Sequence, residues 1–177
     1  VRAIPGEGLQ HIPIWLLGSS GFSARLAGRL GLPFAFASHF APENTMAALE
    51  IYRSSFQPSE VLDEPHVMLG INVIAADSDE EAERLSTSMQ LSFLHLIRNQ
   101  PTKLQPPVNH MEGLVTEYEK AALENRLKGS IIGSPKTVKE KLKAFIERTK
   151  ANELIINSMI YDHEARLKSY EIIANLA

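Results

Sequence analysis

Cysteine is absent from this 177-residue chain, which excludes disulfides, thiolate metal ligands and thiol nucleophiles. The chain also lacks a large excess of charge of one sign. It has 18 lysines and arginines and 21 aspartates and glutamates, which gives a formal net charge of -3. The one basic cluster, "KTVKEKLK", places its charges on the polar face of an amphipathic helix. This balance disfavours binding to nucleic acid or to a membrane surface.

Several signature motifs are missing as well. No apolar run reaches membrane-spanning length, and the chain does not open with a signal-peptide pattern. The sequence contains no Walker motif, no dinucleotide-binding glycine fingerprint, no Ser-His-Asp order typical of hydrolases and no histidine spacing that predicts a metal site. We therefore expect a cytoplasmic protein, which the lack of cysteine fits, and one without a bound metal ion.

What the sequence does contain is an alternation of short apolar runs with amphipathic segments. Strands are predicted for the apolar runs at residues 12–18, 34–38, 66–77 and 153–160. A helix is predicted after each of them. Strands that alternate with helices pair in parallel, so the predicted fold class is α/β with parallel (β/α) units in a single domain, residues 1–177.

The helices are predicted from apolar spacing and from their first residues. Phe22, Leu26 and Leu30 recur at helical spacing along the first helix. Residues suited to helix starts precede three of the other predicted helices: Ser78, Ser134 and Asp162.

Two regions depart from this alternation. Residues 99–128 begin with a proline-rich loop and are predicted to be an irregular insertion that holds a short helix over residues 111–125. The opening segment, "VRAIPGEGLQHIP", starts with Val1 and has the composition of a polar loop from the middle of a chain. We therefore expect further sequence upstream of it.

A candidate anion site follows the first strand. In parallel α/β folds ligands bind at the carboxyl ends of the strands, and the first strand ends in "GSSG". Gly18, Ser19 and Ser20 there offer backbone N–H groups at a helix start, together with two hydroxyl groups, to an anion such as phosphate. The same residues also fit a tight turn with Ser20 as helix N-cap, and the pattern alone favours neither interpretation.

Two further polar residues belong to the second and third strands. His39 follows the second strand and would point an imidazole at the same edge, although a lone histidine is more often a hydrogen-bonded loop residue. Alternation along the third strand places Gly70 and Asn72 on one face and branched residues on the other. The branched face is predicted to lie under helices and the face with Gly70 to line a barrel interior or cleft, where Asn72 is more simply a core amide.

Four segments, in this order and spacing, carry a family resemblance: "IPIWLLGSSGFSARLAGRLGLPFAFASHFAP", "VMLGINVIAADSDEEAERL", "GSPKTVKEKLKAF" and "ELIINSMIYDHEARLKSYEIIA". They resemble the C-terminal half of the luciferase-like flavin monooxygenase family, over nearly the whole chain. The resemblance implies the C-terminal half of a TIM-type (β/α)8 barrel and the cofactor FMN, usually reduced by a separate flavin reductase. In that family reduced FMN reacts with oxygen and oxidises a small organic substrate.

The resemblance also implies roles for individual residues. In the family the loop after the fifth strand contacts the flavin phosphate, and the matching positions here are Gly18, Ser19 and Ser20. The segment after the sixth strand approaches the flavin ring or the substrate, which makes His39 the candidate catalytic residue. The identity of the substrate cannot be read from the sequence.

The four N-terminal (β/α) units of the family have no counterpart in this chain. Three interpretations therefore stay open: one half of an FMN-dependent monooxygenase, a flavin-binding or structural half-barrel without turnover, and an open α/β domain that binds another phosphorylated ligand. Four strands in place of eight would leave two unpaired edges and an exposed apolar inner face. We therefore expect a homo-oligomer or association with the missing half of the barrel.

Overall fold

The computed structural model describes residues 12–176, which form five strands and six α-helices; a helix follows each strand or its loop, and α4 comes directly after α3. The strands are β1 (Leu16–Gly18), β2 (Phe34–Phe36), β3 (Val67–Ala75), β4 (Ile131–Gly133) and β5 (Glu153–Asn157). The helices are α1 (Gly21–Leu30), α2 (Thr45–Ser55), α3 (Asp79–Ile97), α4 (Glu117–Leu127), α5 (Pro135–Thr149) and α6 (His163–Ala174). Most of the opening segment expected to be a loop lies outside the described residues.

All strand pairs are parallel, which confirms the predicted α/β class. β1 pairs with β2 and β2 with β3, while β5 pairs with β3 along Met68–Asn72. The short β4 pairs with the end of β3 at Val73–Ala75. Among the described residues, β1 pairs only with β2 and β5 only with β3, so both are edge strands of the sheet.

The prediction of four strands was wrong, because β4 was not expected. This strand has three residues, Ile131–Gly133, which is too short to show an alternation of apolar and polar side chains. It forms because the end of β3 offers backbone partners to a segment that the turn before α5 brings alongside.

The main core lies between the sheet and the helices. One face of β3 presents a row of fully buried side chains to the layer of helices α1, α2, α5 and α6: Val67, Leu69, Ile71 and Val73. These are the branched residues that alternation assigns to one face, so the predicted orientation of β3 is confirmed. Its other face, with Gly70 and Asn72, is directed away from these helices.

A second core lies at the carboxyl end of β3 and includes part of the insertion. α3 contributes most of its buried side chains: Ala82, Leu85, Met89, Phe93 and Leu94. Leu123 of α4 packs on this cluster. The helix in the insertion begins at Glu117, not at residue 111, because the Thr116 side chain and Glu119 form a reciprocal capping box there.

α1 is a helix as predicted, but its apolar spacing does not mark its buried face. Phe22, Leu26 and Leu30 are 79%, 40% and 51% exposed. The residues that face the core are small: Ala24, Ala27 and Gly28. Small residues allow α1 to approach α2 closely, and the large apolar side chains are left on the outer side, next to the edge strand β1.

Candidate functional site

The turn between β1 and α1 is tight, and its carbonyl oxygens at Gly18 and Ser20 accept hydrogen bonds from Ala37 N–H and Ser23 Oγ, whereas its donors are free. A Cβ atom at Gly18 would overlap the Ser23 side chain, so this position requires glycine unless Ser23 moves. Ser20 is at the N-cap with extended backbone, yet its side chain makes no capping hydrogen bond. Among residues 12–176, neither the N–H groups nor the hydroxyl groups of Ser19 and Ser20 have a hydrogen-bond partner. The turn is therefore open to an external acceptor of hydrogen bonds.

A cavity of about 630 Å³ adjoins this turn. Its walls are Ser19, the loop after β2 and the end of α4, with these lining residues: Phe40, Ala41, Pro42, Glu43, Asn44, Asn125, Arg126 and Lys128. Arg126 and Lys128 bring two positive charges and Glu43 one negative charge, so the lining carries a net positive charge. An anion is therefore the favoured guest of this cavity.

Arg126 and Lys128 were not predicted as site residues. They lie in the insertion, far from Ser19 in sequence, and neither belongs to a motif. Only the packing of α4 on α3 brings them to this cavity, so local sequence patterns hold no signal for them.

His39 lies against β3. Its backbone N–H donates a hydrogen bond of 2.8 Å to the Gly70 carbonyl oxygen. A Cβ atom at Gly70 would lie 2.6 Å from Nδ1 and 2.9 Å from Cε1 of His39. The imidazole therefore occupies the space that a side chain at position 70 would need. His39 is exposed and lies on the Gly70 face of β3, away from the helix layer, but it is not among the lining residues of the cavity beside Ser19. Its catalytic role stays a prediction.

The inner face of the sheet is mostly apolar, with a polar end. Leu17, Ala35 and Met68 are aligned across β1, β2 and β3 by the strand register. Leu17 is 71% exposed on this face. Nearer the carboxyl ends of the strands, Asn72 Oδ1 accepts a hydrogen bond of 2.9 Å from Asn157 Nδ2. Asn72 is thus a buried amide with a partner, as expected, whereas Asn157 was missed because its pairing depends on the register of β5.

Other polar groups at the carboxyl ends of the strands, those of Ser158 and Asp79, are bonded within the protein. Ser158 is buried, and its Oγ donates a hydrogen bond of 2.5 Å to the Val73 carbonyl oxygen. Asp79 accepts the Ser134 N–H at 2.6 Å, and this bond lowers the pKa of the Asp79 carboxyl. Within the described residues, no group of three or more histidine, aspartate or glutamate side chains is arranged to hold a metal ion. Open polar groups are found at the β1 turn, in the cavity beside it and at His39.

Comparison with protein families matches residues 1–153 to the luciferase-like monooxygenases. The chain belongs to this family. It is 55% identical over 176 residues to the protein YvbT of Bacillus subtilis, covering 99% of this chain and 52% of YvbT. It is 46% identical over 172 residues to a luciferase-like monooxygenase of Escherichia coli strain K12, covering 97% of this chain and 51% of that protein.

Solved structures show the same fold. The crystal structure of apo-MsnO8 matches with a TM-score of 0.78 and 30% identity over 95% of this chain and 52% of the other. The oxygenating constituent of 3,6-diketocamphane monooxygenase from Pseudomonas putida, in complex with FMN, matches with a TM-score of 0.63 and 23% identity over 91% of this chain and 46% of the other. The chain thus has the fold of half a TIM-type barrel and spans about half the length of the relatives it matches.

None of the helices in residues 12–176 combines the length and the apolar character needed to cross a membrane.

Proposed function

We propose that this chain is one half of an FMN-dependent monooxygenase that oxidises a small organic substrate. The proposal rests on the turn at Ser19 and Ser20, whose N–H groups have no hydrogen-bond partner among residues 12–176. This turn lies at the carboxyl end of β1, in a chain that belongs to the luciferase-like monooxygenases. FMN is present in the structure of the camphane monooxygenase, a protein of the same fold.

The β1 turn fits the phosphate group of FMN. The first N–H groups of α1 carry partial positive charge and are oriented toward the space in front of the helix. The free hydroxyl groups of Ser19 and Ser20 add two donors. Gly18 has no side chain, so a phosphate oxygen can approach its backbone closely.

The inner face of the sheet fits the flavin ring system. Leu17 and Met68 supply apolar surface, and Asn157 and His39, which are not fully buried, supply hydrogen-bonding groups at the carboxyl ends of the strands. When bound and reduced, FMN supplies the electrons with which oxygen is activated and the substrate oxidised. The chain's own part is to hold the phosphate and to orient the ring, and His39 is placed to give or take a proton at an imidazole nitrogen.

Oxidation of a substrate requires a site from which water is excluded. The described half leaves Leu17 and Ile155 of the inner face 71% and 55% exposed, so this face is not closed. We propose that β1 and β5 pair with strands of the other half of the barrel, and that a flavin reductase in the same, cytoplasmic, compartment supplies reduced FMN. The open inner face also supports a second candidate function, a half-barrel that binds flavin without turnover.

Flavin binding and oxygen consumption separate these functions. FMN is titrated into the purified chain and its fluorescence is followed, and the chain is then mixed with NADH, a generic flavin reductase and a panel of small aldehydes, ketones and sulfonates. Saturable quenching with substrate-dependent oxygen uptake supports the monooxygenase. Quenching without such uptake, even when the other half of a relative's barrel is supplied, supports the binding module. The absence of any FMN binding by the paired halves would refute both.

A further inference from the structure

We infer that Arg126 and Lys128 bind the phosphate group that faces Ser19, so that the end of α4 forms one wall of the phosphate site. This inference rests on the proposed function, because it assigns further residues to the cofactor site. The function of the insertion would then be to place the positive charges of Arg126 and Lys128 beside the turn at Ser19, which has no charged side chain of its own.

The cavity beside Ser19 carries the inference. Arg126 and Lys128 line this cavity together with Ser19. Glu43 is the one carboxylate in the lining, and Asn44 Nδ2 contacts it at 3.4 Å. With Glu43 counted, the two cations leave the lining with one net positive charge, which a phosphate group compensates and a neutral guest does not.

The two cations are held by packed elements. The Arg126 guanidinium lies over the Phe93 ring, 5.8 Å from its centroid, which fixes the side chain on α3. α4 itself is tied to α3 by the ion pair of Arg98 Nε with Glu119 Oε1 at 2.7 Å. Lys128 directly follows α4, and its Nζ donates a hydrogen bond of 2.6 Å to Asn125 Oδ1, so both positive charges lie at the end of this helix.

A close backbone approach joins the end of α4 to the loop after β2. A Cβ atom at Gly129 would lie 2.7 Å from Pro42 Cβ and 3.4 Å from the Ser38 carbonyl oxygen. Glycine at this position lets the chain after Lys128 pass against the loop. This contact holds the end of α4 against the loop after β2, and both segments supply walls of the cavity.

Comparison of FMN with riboflavin tests the inference, since riboflavin lacks only the phosphate. We expect FMN to bind the chain more tightly than riboflavin, and the double variant R126Q/K128Q to reduce this preference at least tenfold. The matched control is K136Q/K139Q, which removes two exposed lysines from α5. An unchanged preference in R126Q/K128Q would overturn the inference and leave the proposed function standing, whereas equal binding of FMN and riboflavin by the unaltered chain would overturn both.

A second measurement decides the case in which neither flavin binds. Inorganic phosphate is titrated into the 15N-labelled chain, and the backbone amide signals of Ser19 and Ser20 are followed. Saturable shifts that weaken in R126Q/K128Q but not in K136Q/K139Q support the phosphate site while refuting the flavin function. Shifts of equal size in both variants, or no shifts at all, overturn the inference.

Discussion

The imidazole of His39 covers the bare Cα of Gly70, where a Cβ atom would lie 2.6 Å from its Nδ1. We predict that Gly70→Ala pushes the ring off the strand. Because His39 is exposed and its ring can rotate, the free energy of unfolding should fall by less than about 1 kcal/mol. Flavin turnover, measured with the completed barrel, should fall about as much as in His39→Ala.

A double-variant cycle checks that the two residues act together. In the His39→Ala background, Gly70→Ala should cause no further loss of turnover, because there is no ring left to displace. Independent, additive losses would contradict the proposed coupling. Nuclear Overhauser contacts between the imidazole and residue 70 report the displacement directly and do not depend on activity.

Tyr52 provides a test of the core beneath the site. Its ring is fully buried. Its hydroxyl donates a hydrogen bond of 2.9 Å to the Leu32 carbonyl oxygen and accepts one of 3.1 Å from the His66 N–H. Burial raises the pKa of this hydroxyl. Tyr52→Phe leaves both backbone groups without their partner, so urea denaturation should show a loss of about 1–3 kcal/mol. A loss below about 0.5 kcal/mol would mean that water replaces the hydroxyl.

The ion pair between α3 and α4 predicts a response to acid. The Arg98 side chain, followed by the Thr116 N–H, lowers the pKa of Glu119 from 4.5 to about 2. A carboxyl whose pKa is lower in the folded state stabilises that state above its unfolded pKa, and the contribution is lost as the pH falls. The contact of α4 with α3 should therefore weaken between pH 4.5 and pH 2, which amide hydrogen exchange of α4 can follow.

Glu119→Gln is the variant that isolates this effect. It should accelerate exchange in α4 at neutral pH and make the rate less dependent on pH in the acid range. Glu124→Gln, an exposed change on the same helix, is the control and should leave the acid response intact. If Glu119→Gln and the unaltered chain lost protection over the same pH range, the ion pair would not be the cause.

Features that depend on neighbours in sequence were predictable. Ser78, Ser134 and Asp162 each accept a hydrogen bond from a backbone N–H three residues later, as N-cap residues do. The faces of β3 followed from alternation over nine residues, which is long enough to define a period. The turn at Ser19 was recognisable because four small residues interrupt an apolar run.

Features that depend on tertiary contacts were not predictable. β4 forms because β3 offers it backbone partners, and Asn157 meets Asn72 because of the register of β5. The spacing of Phe22, Leu26 and Leu30 marks an apolar face on α1, but it does not show which element covers that face. Arg126 lines the cavity beside Ser19 because α4 packs on α3, and no sequence motif predicts this packing.

Both edges of the sheet expose surface suited to further (β/α) units. Beside β1, the outer face of α1 presents Phe22, which is 79% exposed, together with Leu26 and Leu30. Beside β5, an apolar groove of about 460 Å³ is lined mainly by these residues: Leu142, Ile146, Leu154, Ile156, Ile173 and Leu176. In a closed (β/α)8 barrel each of these surfaces would be covered by the helix of a neighbouring unit.

We therefore predict that the chain forms a one-to-one complex with the four preceding (β/α) units of a family member. In sedimentation experiments the mixture should give a species heavier than the 19.6 kDa chain, because pairing at β1 and β5 buries the exposed apolar surface. Phe22→Glu with Leu26→Glu should weaken the complex at least tenfold, since two charges would be buried without partners. Arg25→Glu, an exposed change on the same helix, should not. A chain that stays a 19.6 kDa monomer in the mixture and unfolds cooperatively would contradict the half-barrel interpretation, because its edges would then be stable without a neighbour.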